Sequence, residues 1–200
     1  MNEPAPLPTN ARKRSQEETR NRLLESAAHL FALNGSKKTR TSDIAKGAEV
    51  AVGTVYLHFK DKDSLLKEVL KVALTRLKQE IAKYPAESNS LVENKMAALA
   101  AFTEHFPNLA AVLFDGGNLA TTPGKEAFDF LIASQERGLI DGVAQGYYRG
   151  DLHSGLVARA MVGSLVQVLS WWVKNPEVIT KQEVIESLTS MRMEGLGPRI

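Results

Sequence analysis

The 200-residue chain contains no cysteine. Disulfides, thiolate metal sites and thiol nucleophiles are excluded together, and a reducing compartment, the cytoplasm, is the expectation. The four histidines stand far apart, at positions 29, 58, 105 and 153. None belongs to an H-E-x-x-H motif, and none follows a glutamate by three residues, the spacing that helical di-metal sites use. G-x-S-x-G, the phosphate-binding G-x-x-x-x-G-K-[ST] loop and G-x-G-x-x-G are also missing. Glu104-His105 reads as a surface pair. The expectation is therefore a protein without enzymatic activity, without a metal and without a cofactor. The first ten residues, MNEPAPLPTN, lack the apolar core of a secretory signal. No internal repeat and no strand-type alternation is visible.

One long apolar run is present, from Ser154 to Lys174, broken by Arg159, Ser164, Gln167 and Ser170. A membrane span needs about 20 apolar residues, and Arg159 and Gln167 argue against that use, so no membrane is expected as partner. A helix apolar on so much of its circumference has to bury more than one face. A second copy of the chain is the simplest cover for the outer one.

The net charge of +2 conceals an asymmetry. Residues 1–83 carry 16 Lys/Arg against 10 Asp/Glu, and residues 84–200 carry 9 against 13. A basic N-terminal part suits a polyanion, and the acidic remainder suits another task.

Apolar periodicity divides the chain into about nine helices. Residues 1–14 hold three prolines and then Arg12-Lys13-Arg14, which reads as a disordered basic arm. A helix follows from about Gln16 to Leu33, with Leu23, Leu24, Ala27, Ala28, Leu30 and Phe31 on its apolar side, and Asn34-Gly35 ends it. Two short helices come next, about Thr41–Ala48 and Val52–Phe59. Asp61 with Ser64 then caps a long helix reaching about Lys83, closed by Tyr84-Pro85. Further helices are expected over 88–105, from Pro107 to Phe114, from a Thr122-Pro123 start to about Tyr148, over 154–174, and from near Pro176 through Val184, Ile185 and Leu188. Gly138, Gly142 and Gly146 recur at four-residue spacing, which suggests a face of close helix packing.

The two short helices are the informative element. Ile44, Ala45 and Ala48 on the first, and Val55 and Phe59 on the second, point to a core. Val52, Thr54, Tyr56 and His58 are left outward. Two short helices joined by a tight turn form a helix-turn-helix, whose second helix can lie in the major groove. Val52 can meet a thymine methyl, and Thr54, Tyr56 and His58 carry groups suited to phosphate or a base edge.

In order and spacing, Asp43-Ile44-Ala45, Ala48, Val50, Gly53-Thr54, Tyr56, His58-Phe59, Lys62 and Leu65-Leu66 resemble the signature of TetR-type transcriptional repressors. The resemblance covers about Arg20 to Leu70. Three positions depart from it: Glu49 stands where a turn glycine is usual, Ala51 where Ser or Thr caps the recognition helix, and Arg40 where Ser or Thr caps the helix before. The resemblance implies an all-α fold, with an N-terminal three-helix helix-turn-helix domain (15–62) followed by a larger ligand-binding and dimerisation domain (63–200). It implies a dimer on a palindromic double-stranded operator, released by a small-molecule effector. Thr41, Ala51, Val52, Gly53, Thr54, Tyr56, Leu57, His58 and Lys62 are the expected DNA-binding positions, Tyr56 and Lys62 matching phosphate contacts. Phe102, Phe106, Phe114, Phe128 and Trp171 are candidates for the ligand pocket, against the reading that they are ordinary core aromatics. Asp115, Glu136 and Arg137 are possible polar contacts. Met161, Leu165, Val168, Leu169, Trp172, Ile185 and Leu188 are the expected dimer interface. The alternative is a helical ligand-binding or interaction module that has lost DNA binding.

Overall fold

The computed structural model describes residues 9–84 and 91–196. Among them are nine α-helices, one short 3-10 helix and no strand, so the fold is all-α as expected. Helix α1 spans Thr9–Asn34. It starts earlier than composition suggested: residues 9–14 are helical rather than a disordered arm, while residues 1–8 lie outside the described residues. No proline or glycine falls between Pro8 and Gly35, and Arg14 pairs with Glu18 one turn on at 3.7 Å. The helix therefore has no reason to stop before the proline. At its other end Gly35 takes φ +76°, which a side chain would resist, and its N–H returns to the Phe31 carbonyl at 2.9 Å.

Helix α2 (Thr41–Gly47) packs on α1 and helix α3 (Val52–His58) on α2, burying Ile44, Ala45, Val55 and Phe59 in one core with Leu23, Ala27 and Phe31. Helix α4 (Lys62–Ile81) begins with the expected capping box. The Ser64 N–H donates to Asp61 Oδ1 at 2.7 Å, and the Asp61 N–H to Ser64 Oγ at 3.1 Å. Its stripe of Leu65, Leu66, Val69, Leu70, Ala73 and Leu77 is buried along the whole length, about 30 Å at 1.5 Å per residue. One end closes the three-helix unit; the other lies among the later helices.

These are α5 (Leu91–His105), α6 (Pro107–Leu113), the 3-10 helix (Gly116–Ala120), α7 (Thr122–Ala144), α8 (Ser154–Lys174) and α9 (Lys181–Leu196). α4 packs against α5, α6 and α7, α8 against α7, and α9 against α5. Two starts differ from the sequence reading. Thr121, not Thr122, caps α7: its Oγ1 accepts from Gly124 N–H at 3.1 Å. The last helix starts after Thr180, whose hydroxyl and N–H pair with Glu183 in a second capping box, here T-x-x-E.

Gly138, Gly142 and Gly146 do not form one packing face. Gly142 gives way to Tyr148, since a Cβ there would stand 2.4 Å from the ring. Gly146 has φ +77° and completes a Schellman turn, with Tyr147 N–H on the Gly142 carbonyl at 2.8 Å and Gly146 N–H on that of Val143 at 3.1 Å. Gly138 faces Lys95.

Candidate nucleic-acid interface and ligand cavity

α3 is anchored on one side and bare on the other. Val55 and Phe59 are nearly inaccessible, whereas Val52, Tyr56 and Leu57 are 43, 56 and 84% exposed. Ala51 and Gly53 are exposed too, and Thr41, Thr54 and His58 half-exposed, so the expected positions on α3 and at its start form one outer surface. Gly53 is the telling residue. Its φ is ordinary for a helix and a Cβ would meet nothing within 4 Å, yet glycine weakens a helix by about 1 kcal/mol. The fold does not ask for it.

The turn before α3 explains the departures noted in the sequence. Glu49 sits at φ +55°, the only non-glycine with positive φ among the described residues. The position has the left-handed geometry that glycine accepts freely, and Glu49 holds it under strain. Ala51 and Arg40 occupy the N-cap positions of α3 and α2 without any side-chain cap bond. The first N–H groups of α3 are thus not met by a capping side chain, and such groups at a helix start can receive a phosphate.

Lys62 does more than offer charge. Its Nζ donates to the carbonyls of Lys37 at 3.2 Å and Thr39 at 3.1 Å, tying the start of α4 to the loop before α2. Thr39 Oγ1 in turn donates to the carbonyls of Gly35 at 2.9 Å and Leu30 at 3.1 Å. Lys37, Lys38 and Arg40 project outward from this braced loop. On the other flank, Lys13 of α1 shares a groove with Thr54, Leu57 and His58. Lys13 is therefore carried beside α3 by a helix. Arg20 fixes the joint from behind: it bonds Glu68 at 2.5 Å and lies 5.2 Å over the Phe59 ring.

The second half of the chain contains a cavity in two parts. An inner chamber of about 210 Å³ lies between α4, α5, α7 and α8, walled by Leu77, Leu99, Phe114, Leu131 and Val166 with Lys95 and Gln135. An outer cleft of about 360 Å³ separates α8 from α9, walled by Val157, Met161, Leu165, Leu188 and Met191. Met96, Leu165 and Arg192 border both. Of the five aromatics expected here, only Phe114 lines the cavity. Phe102 is fully buried core, with Phe114 edge-on at 6.1 Å. Phe106 lies under Arg76 in a separate surface groove. Phe128 is half-buried packing, and Trp171 is 43% exposed on the outside of α8. The polar candidates have structural duties as well: Asp115 caps the 3-10 helix and Glu136 accepts from Ser154 Oγ at 3.2 Å. Arg137 is exposed. Aromatic content was the wrong signal; the walls are aliphatic and sulfur side chains, and their polar members come from helices far apart in sequence.

Residues 23–69 match the family described as bacterial regulatory proteins, tetR family. Over those residues the chain carries a TetR-type DNA-binding domain. The HTH-type transcriptional repressor KstR2 of Mycobacterium tuberculosis is 28% identical over 88% of this chain and 92% of its own. The fatty acid metabolism regulator protein of Bacillus subtilis is 27% identical over 84% and 92%. Among solved structures, the fatty acid degradation regulator FadR of Bacillus halodurans superposes with TM-score 0.73 at 18% identity, covering 86% of this chain and 93% of that one. KstR2 of M. tuberculosis superposes at 0.65 and 24% identity, covering 90% and 95%. At those identities the superpositions establish the fold, both halves included.

TetR-family regulators bind DNA operators and small-molecule effectors and act as dimers. In this chain the residues expected at the dimer interface divide. Leu169, Trp172, Ile185 and Leu188 are at most 6% exposed within the single chain, so the core of their own domain already takes them. Met161, Leu165 and Val168 are half-buried, Met161 and Leu165 in the cavity wall. What α8 leaves bare is another stripe: Leu156, Ala160, Gly163, Gln167 and Trp171, spaced three or four apart. The periodicity of an almost wholly apolar helix such as α8 does not reveal which face turns inward. α8 is also long and apolar enough to cross a membrane, by length and composition alone.

Proposed function

We propose that this protein is a dimeric repressor that holds α3 of each copy in successive major grooves of a palindromic operator and is released by a small apolar effector. The observation that carries the reading is the bare face of α3. Val52, Gly53, Tyr56 and Leu57 are displayed at the end of a buried anchor, with Lys37, Lys38, Arg40 and Lys13 around them. Exposed apolar and aromatic groups ringed by cations suit thymine methyls and phosphates. The relatives are named for fatty acid metabolism and for transcriptional repression, and a solved neighbour is named a ketosteroid regulator. An effector of that apolar character fits the aliphatic walls of the cavity. The working compartment is the cytoplasm.

The route from effector to DNA runs along α4. Leu77 and Ile81 line the inner chamber near its C-terminal end, and Asp61 and Lys62 brace the DNA-binding unit at the other. An occupant that prefers one tilt of α4 changes the separation of the two α3 helices; without such a preference it changes nothing. We place the boundary between the two units within α4, not at a flexible linker.

A mobility-shift titration tests the reading. The purified protein is expected to bind a palindrome beside its own gene with affinity that falls steeply as salt rises. Tyr56→Phe and Lys62→Ala are expected to weaken binding. Affinity that ignores salt and both substitutions would instead favour a ligand-binding module without DNA contact.

A further inference from the structure

Two cations face one apolar cavity. Lys95 on α5 lines the inner chamber, and Arg192 on α9 stands where chamber and cleft meet. No Asp or Glu is among the lining residues. Arg192 is only 4% exposed, and a guanidinium that deep ordinarily faces a carboxylate. Its partners here are neutral. Nε donates to the Tyr148 hydroxyl at 3.2 Å, and the guanidinium carbon lies 5.4 Å from the centre of that ring. Gln135, with its amide oxygen turned to the guanidinium, accepts from Nη2 at 2.8 Å and Nη1 at 3.2 Å. These bonds orient the group without neutralising it.

Lys95 is half-buried. Burial first, and the positive charge of Arg192 second, hold its ammonium below the ordinary lysine range. Asp141 acts in the opposite direction, from an exposed position on α7. Two like charges brought to the same chamber repel each other and lose hydration. An anion between them would relieve both effects, and Arg in particular offers a forked donor set to carboxylate or phosphate.

We infer that the effector is an anionic amphiphile, its head group held between Lys95 and Arg192 and its apolar body in the inner chamber against Leu99, Phe114, Leu131 and Val166. The inference deepens the effector reading given above and rests on it for its regulatory meaning. It also supplies the differential contact that reading needs, because the head draws α5 and α9 together while the body touches α4 at Leu77.

The test is isothermal titration of the full-length protein with decanoate, decyl phosphate and 1-decanol. Decanoate or decyl phosphate is expected to bind about tenfold or more tightly than the uncharged alcohol, the scale of a hydrogen bond to a charged partner. Lys95→Met is expected to remove most of that preference while leaving 1-decanol unchanged. Arg192→Met should do the same; if its circular dichroism shows that it does not fold, Lys95→Met decides. The stronger of the two anions identifies the head group as carboxylate or phosphate. Equal binding of the alcohol and both anions overturns the inference, as does an anion affinity untouched by Lys95→Met, or no binding of any of the three. Operator binding by the ligand-free protein is measured in parallel. Its loss would strike the repressor reading, whereas its persistence beside failed titrations would strike only this inference.

Discussion

The Ser36 hydroxyl donates to the Asn118 side-chain oxygen at 2.6 Å, joining residues 82 positions apart in a buried contact. Ser36 belongs to the loop between α1 and α2, behind the DNA-binding face; Asn118 belongs to the 3-10 helix that leads into α7. Asn118 is oriented by a second bond, from its amide to the Val112 carbonyl at 2.9 Å. Gly124 is held against it so closely that a Cβ would lie 2.1 Å from the Asn118 carbonyl oxygen. The contact is therefore a rigid second joint between the two halves of the chain, beside α4.

Breaking this joint leaves a buried hydroxyl without its acceptor. Asn118→Ala is expected to cost about 1–3 kcal/mol of stability. Ser36→Ala should cost less, and the double variant less than the sum of the two, because the partners share one bond. Urea unfolding of the four proteins checks this. If the joint carries effector information, Asn118→Ala also raises the effector concentration needed to release DNA without changing operator affinity in its absence.

Gly53→Ala separates fold from function. The added methyl has nothing to meet inside the protein, so helix propensity predicts a gain of up to about 1 kcal/mol in stability. The same methyl stands where α3 is to approach DNA, and operator affinity is expected to fall. A rise in melting temperature with a loss of mobility shift is the predicted pair of outcomes.

The turn and cap before α3 predict a gain from repair. Glu49→Gly relieves the left-handed strain, worth about 1 kcal/mol, and removes an acid beside the recognition helix. Ala51→Ser supplies the missing cap at a residue whose φ −67° and ψ 147° already suit one, for about 1 kcal/mol more. Both variants should melt higher, and Glu49→Gly should also bind operator more tightly, which calorimetry and a mobility shift measure independently.

Local chemistry was legible in the sequence, and long-range pairing was not. The capping box at Asp61, the glycine end of α1 and the inward pair Val55–Phe59 each depend on residues within one or two turns, so spacing alone reveals them. The cavity depends on which faces of α5, α7, α8 and α9 converge, and Lys95, Gln135 and Arg192 come from three different helices. Nothing in one helix's periodicity reports that convergence. Tyr148 shows the limit most plainly. Its place beside Arg192 is made possible by the missing side chain of Gly142, a relation that four-residue glycine spacing misread as helix packing.

The bare stripe on α8 predicts the dimer. Leu156 is 68% and Trp171 43% exposed on a helix whose opposite side is core. Trp171→Glu or Leu156→Glu is expected to shift the protein to monomer in sedimentation velocity at micromolar concentration and to abolish binding to a palindrome. Trp172→Glu should instead unfold the domain, because Trp172 is 5% exposed and its indole N–H donates to the Ile179 carbonyl at 3.1 Å.

Acid should loosen the junction of α4 and α5 before the rest. Glu80 is buried, with Lys83 Nζ at 2.6 Å and His105 Nδ1 at 3.5 Å from one oxygen. The hydrogen bond from Lys83 chiefly, and that from His105 next, hold its carboxyl below the ordinary value of 4.5, against the opposing effect of burial. A carboxyl whose folded pKa is depressed binds fewer protons than in the unfolded chain between the two values. Its contribution is therefore fully present above about pH 4.5 and is lost as pH falls through the lower folded value. Asp61 at the start of α4 behaves alike, held down by the Ser64 N–H it accepts from. Wild-type stability should then decline below that pH, and Glu80→Gln should flatten the decline when unfolding free energy is followed from pH 6 to pH 3. An unchanged slope in the variant would place the acid sensitivity elsewhere.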